Sequence, residues 1–162
     1  MKQLILYLKT GQLELIECPA PSCRPGNVVI QTTFSVISAG TEKILLEFGK
    51  AGYLEKAKSQ PEKVKQTLNK VRTDGLFTTL KSVQSKLDQP NPLGYSNVGV
   101  VTEIGSGILG FQMGDRVVSN GHHAEFVSVP KNLCVKIPEN VTDEEASFTV
   151  PAAIDLQGIR LA

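Results

Sequence analysis

Seven short runs rich in branched apolar residues, each cut off by Gly, Pro or Asn, constrain the fold of this chain more than any other feature. Leu4–Tyr7, Leu13–Ile16 and Val28–Phe34 come first, the last of them after Pro25-Gly26-Asn27; Val98–Ile104, Arg116–Val118, Ala124–Val129 and Leu133–Ile137 follow a long interruption. Runs of this length and punctuation read as strands joined by tight turns. Many of them at close spacing predict a mainly β, α+β domain built as a partly open barrel.

The interruption has a different texture. Ser59-Gln60-Pro61-Glu62 offers a capping-box start, after which Val64, Leu68 and Val71 recur at helical spacing up to Gly75. Leu76, Leu80, Val83 and Leu87 then mark a second helix that Pro90 closes. Residues 43–90 therefore read as a helical insertion, its apolar residues packing on one another, on the barrel or on a second copy of the chain. The insertion holds ten Lys and Arg against five Asp and Glu, whereas the remainder holds seven against eleven. A net charge of +1 for the whole chain excludes a general nucleic-acid or membrane-surface binder. No stretch reaches membrane-spanning length, and the start is too short in apolar residues for a signal peptide, so a cytoplasmic protein is expected. Cys18, Cys23 and Cys134 form no CxxC pair and read as reduced thiols.

At the far end, Thr142-Asp143-Glu144-Glu145 predicts a helix N-terminus and a helical run to Ala162. We expect a domain over 1–145, with the insertion at 43–90 and a linker helix at 146–162. Gly105-Ser106-Gly107-Ile108-Leu109-Gly110 spells a nucleotide-loop spacing but precedes a turn, not a long helix, and is not expected to hold phosphate.

Three stretches together resemble the medium-chain dehydrogenase/reductase family, whose N-terminal part is a GroES-like barrel. Pro25-Gly26-Asn27-Val28-Val29-Ile30 resembles its opening P-G-x-V-x-V. Pro92-Leu93-Gly94-Tyr95-Ser96-Asn97-Val98-Gly99-Val100 through Gly105, continuing into Gly114-Asp115-Arg116-Val117, resembles its L-G-H-E-x-x-G-x-V signature and G-D-x-V turn. Ala124-Glu125-Phe126-Val127, Lys136-Ile137-Pro138 and Asp143-Glu144-Glu145-Ala146 resemble the stretch that closes the barrel. Val36–Glu42, the insertion and Gly94-Tyr95-Ser96 resemble most a subgroup of two-part oxidoreductases with a glucose-fructose-oxidoreductase-like second half, associated with surface-polysaccharide and sugar metabolism.

The resemblance implies an NAD- or NADP-dependent oxidoreductase acting on an alcohol, carbonyl or sugar-type substrate, its cofactor held by a downstream nucleotide-binding domain, so that residues 1–162 alone are expected to be inactive. Zinc-dependent members bind metal through a Cys in the first turn and the His of G-H-E. Here those places hold Ala39 and Tyr95, so no catalytic zinc is expected. Thr41 falls on the family's proton-relaying hydroxyl, against the plain reading of a turn threonine. Tyr95 could polarise a carbonyl in place of zinc, against the plain reading of a packed aromatic. The ends of the insertion join the Thr41 and Gly94-Tyr95 turns, which would make it border the substrate cleft. Glu42 reads as capping the insertion's first helix, and His122-His123 as a surface turn with at most one ring facing a cleft. The competing class is a stand-alone β-barrel interaction module that docks a partner protein through the basic insertion.

Overall fold

The computed structural model describes residues 1–162, apart from the side chains of Tyr53, Leu68, Lys70, Arg72, Asp74, Leu76, Leu80, Ser82 and Lys86. The chain forms two compact units, the first made of Met1–Leu4, Leu15–Ser38 and Pro92–Ala162, the second of Ile5–Glu14 and Ala39–Asn91.

In the first unit the Pro25-Gly26 turn, with Gly26 at φ +76°, launches β3 (Asn27–Ser35). With β5 (Asn97–Ile104), β6 (Arg116–Ser119), β7 (Phe126–Pro130) and β8 (Cys134–Lys136), β3 builds an antiparallel sheet in the order β7-β3-β5-β6-β8. Its outermost strands do not pair, so the sheet stays open. Val28, Ile30, Val101, Val117, Val127, Val129 and Cys134 form a core on one side. Val98, Val118 and Ala146 form a second cluster with Ile137, Val141 and Val150. Burial on both faces explains why Val28-Val29-Ile30 and Val117-Val118 read as continuous apolar runs, whereas burial alternates along β7. Each fully buried valine contributes about 1.5–3 kcal/mol.

The register of β3 on β5 slips at Thr33. The hydroxyl of that residue donates to Asp143 Oδ2 at 2.9 Å, and Asp143 Oδ1 accepts from Arg116 Nε at 2.8 Å and Nη2 at 2.5 Å. The irregularity thus fastens α5 (Asp143–Ala146) to β3 and β6. The helix N-terminus expected at Thr142 forms, and it does so as a capping box: Thr142 accepts from the Glu145 N–H while Glu145 accepts from the Thr142 N–H. The helical run is not continuous, however: Ser147 and Phe148 separate α5 from α6 (Thr149–Leu161).

A three-stranded sheet, β2-β1-β4, contains β1 (Lys2–Tyr7), β2 (Gln12–Glu17) and β4 (Pro90–Pro92) and contributes residues to both units. The second unit carries the insertion, which has four helices where periodicity indicated two: α1 (Thr41–Lys50), α2 (Tyr53–Ser59), α3 (Pro61–Asp74) and α4 (Leu76–Asp88). The capping box read at Ser59 does not form. Ser59 closes α2 by donating to Lys56 O at 3.0 Å, and α3 starts from Gln60 without a side-chain cap, using Pro61 at its first position, where the missing N–H is no loss. α3 packs against α4, and Val64, Val83, Leu87 and Phe48 line a cavity of about 260 Å³. Leu68, Leu76 and Leu80, expected in that packing, lie outside the described side chains. Glu42 is in the first turn of α1, where a carboxylate meets the positive end of the helix, but the capping position itself is Gly40.

Candidate functional site

The turn Gly94-Tyr95-Ser96 is anchored on both sides. Gly94 has φ +95°, and a Cβ there would lie 2.7 Å from the His123 backbone nitrogen and 2.8 Å from its ring Cγ. Only glycine admits this approach. The backbone around it is laced together: His123 N–H donates to Leu93 O at 2.8 Å, Leu93 N–H to Leu4 O at 3.2 Å and Leu4 N–H to His123 O at 2.9 Å. On the other side, buried Ser96 donates from Oγ to Ser147 O at 2.6 Å and accepts from Val36 N–H at 3.1 Å. Tyr95, half-buried, rides between these fixed points.

Both histidines attend this turn; His122 is exposed, as a surface turn requires, while the half-buried His123 lines a separate cleft. His122 Nδ1 lies 2.9 Å from Gly94 O, and because a carbonyl only accepts, that nitrogen carries the proton. His123 stacks its ring edge on Gly94 and places Nδ1 2.8 Å from Ser35 Oγ. Next to them the fully buried Asn97 donates from Nδ2 to Thr32 Oγ1 at 2.8 Å. Thr32, Ser35 and Asn97 had no motif to announce them; their only signal was polar residues inside otherwise apolar strand ends.

Thr41 opens α1 and is exposed; it belongs to the second unit, Tyr95 to the first. Ala39 and Tyr95 stand where the resembled family has thiolate and imidazole, and among the described residues no three or more His, Cys, Asp and Glu come together. Cys134 is buried, and burial, with the Asp115 carboxylate adding to it, pushes its thiol up to about 12, against the thiolate a metal needs. Ser96 is spent on Ser147 O. The Gly105–Gly110 stretch serves turns: Gly105 N–H donates to Asn27 O at 2.8 Å, Gly107 and Gly110 have φ +80° and +91°, and β6 follows instead of a helix.

Residues 67–139 match the family model of the alcohol dehydrogenase GroES-like domain. The fold is that of a GroES-like domain. A galactitol-1-phosphate dehydrogenase from Escherichia coli superposes on 96% of the chain with a TM-score of 0.65 at 15% identity, the alignment covering 43% of that enzyme. The quinone oxidoreductase of Escherichia coli, solved with NADPH, superposes on 91% with a TM-score of 0.58 at 14% identity, covering 36% of that chain. In sequence, L-idonate 5-dehydrogenase of Vitis vinifera is 25% identical over 117 residues, 53% of this chain and 32% of the enzyme. The family match thus covers a little under half of the chain, and the superposed oxidoreductases share the fold of this domain. The chain spans about a third of the length of the curated relatives it matches. Among the described residues no helix is long and apolar enough to cross a membrane.

Proposed function

We propose that this GroES-like domain is the substrate-side part of a zinc-independent, cytoplasmic NAD(P)-dependent oxidoreductase that acts on a hydroxyl or carbonyl group of a sugar-type substrate. A downstream nucleotide-binding domain holds the cofactor, beyond a 1–145 domain and a linker helix at 146–162. The exposed Ile154, Leu156, Ile159 and Leu161 of α6 support such docking. The resemblance of Val36–Glu42, the insertion and the Gly94-Tyr95-Ser96 variant to the two-part enzymes of polysaccharide and sugar metabolism supports the substrate class, as does the likeness to an L-idonate dehydrogenase.

One observation carries the reading: a phenol occupies the family's metal-binding imidazole position, on a turn held at both ends. When bound, NAD(P) supplies or accepts the hydride. Tyr95 donates a hydrogen bond from its hydroxyl to the substrate oxygen, stabilising the negative charge that builds there as the carbonyl is reduced. Thr41, at the family's hydroxyl position, is in this reading the group that relays a proton.

The test is hydride transfer by the protein with its downstream domain, comparing wild type with Tyr95→Phe. Loss of one such donor lowers kcat about 100-fold. An unchanged kcat refutes the role of Tyr95, and stoichiometric zinc that disappears with Tyr95→Phe or Glu42→Gln returns the protein to the metal-dependent branch.

A further inference from the structure

Leu4, Leu15, Thr32, Ser35, Ile37 and His123 line a cleft of about 430 Å³ in the first unit, within the range of about 300–1,000 Å³ typical of small-molecule sites. Tyr95 is not among its walls.

The polar groups of this cleft are oriented before any ligand arrives. Asn97, from beneath, donates to Thr32 Oγ1, which engages the threonine oxygen as acceptor and leaves its O–H proton to donate outward. Ser35 Oγ is paired with His123 Nδ1, and the ring is fixed in turn by its packing on Gly94. The arrangement is kept at a cost: Asn97 Oδ1 is buried with no partner among the described residues. A buried amide that orients a cleft hydroxyl while its own oxygen goes unpaired is poor packing, yet it is good preorganisation of a binding group.

The opposite character lines the rim, where Leu15 and Ile37 are 61% and 70% exposed. Two hydroxyls and an imidazole facing an aliphatic wall suit a molecule with hydroxyls on one edge and C–H groups on the other. An apolar ligand would strip water from Thr32, Ser35 and His123 without replacing it, while the exposed Lys2 and Glu125 at the rim carry opposite charges and together favour neither an anion nor a cation. We propose that this cleft binds a polyhydroxylated small molecule, an alditol or sugar, with Thr32 and Ser35 reading its hydroxyls and Leu15 and Ile37 covering its C–H face. The proposal deepens the function above by giving its sugar-type ligand a cleft apart from Tyr95; it rests on that reading for the link to turnover, though not for the binding itself.

Titration of the ¹⁵N-labelled 162-residue chain with sorbitol, followed by amide chemical shifts, tests it. Saturable shifts are expected at residues 32–37 and 123–125. Thr32→Val, which keeps the β-branched shape, and Ser35→Ala should each weaken binding about tenfold, the factor for one neutral hydrogen bond. Hexan-1-ol, a chain of equal length with one hydroxyl, should produce no saturable shift. The proposal falls if sorbitol gives no saturable shift, if both variants bind as wild type does, or if hexan-1-ol moves the same signals equally. No cofactor or turnover enters this assay, so its failure leaves the hydride-transfer test untouched, and failure of the Tyr95→Phe test leaves the cleft standing.

Discussion

Replacing Gly94 with alanine probes the turn that carries Tyr95. Two penalties act there. A non-glycine residue at φ +95° is strained by about 1–2 kcal/mol. The new methyl would also stand 2.7 Å from a backbone nitrogen and 2.8 and 2.9 Å from two ring carbons of His123, which must shift against the hydrogen bonds at Leu4 and Leu93. Overpacking of this kind adds about 1–3 kcal/mol. A total near 3 kcal/mol, with a urea slope of about 2 kcal/mol per molar, lowers the unfolding midpoint by about 1.5 M. Gly107→Ala supplies the control, because its φ of +80° brings the backbone strain while nothing lies within 4 Å of the added Cβ. Urea unfolding followed by far-UV circular dichroism should place Gly107→Ala between wild type and Gly94→Ala. Equal midpoints for the two variants would refute the contact argument, leaving conformational strain as the whole effect.

The raised Cys134 thiol should make that residue resist iodoacetamide at pH 8, and peptide mapping of native protein should find it unmodified. An unfolded thiol ionises near its ordinary value of 9.0, whereas the folded one keeps its proton up to about 12, so Cys134 stabilises fully below about pH 9 and that contribution is lost as pH rises towards 12. Cys134→Ala should flatten this decline; stability that climbs between pH 8 and 11 contradicts it. Asp143→Ala removes the acceptor shared by Arg116 and Thr33, and allowing for the partial exposure of the pair it should cost about 1–2 kcal/mol, seen as a Tm lower by about 2–8 °C. Calorimetry should find no micromolar affinity of residues 1–162 for NAD or NADP; such affinity would show that a phosphate-binding surface exists where no glycine-rich turn meets a helix N-terminus.

The strands were legible because β-branched runs and glycine turns act locally: Val28–Phe34 and Val98–Ile104 became β3 and β5 to within a residue or two. The helix boundaries inside the insertion were less so. A capping box needs a free N-terminus, and Ser59 was already the end of another helix, a fact that no local pattern states. Ile44 and Phe48 lie four apart in α1, but that helix begins at a glycine without a capping side chain, so Glu42 was the one mark of its start. The candidate site divides along the same line. Tyr95 was visible through a motif, whereas Thr32, Ser35, Asn97 and His123 come together only because β3 pairs with β5 and the chain returns past Leu93, contacts that span most of the sequence.

The pairing of β3 with β5 also sets an order of events during synthesis. Ser35 meets Asn97 across the sheet, with the whole helical insertion made in between, and at about 5–20 residues per second those sixty-odd residues take roughly 3–12 s to emerge. For that interval Val28, Val29 and Ile30 have no sheet partner available, while α3 and α4, which need only each other's neighbourhood in sequence, can already pair. A ribosome that slows within codons 41–90 would lengthen the exposure of β3, so synonymous codon choice in the insertion should change the yield of soluble protein without changing a single contact in the finished fold.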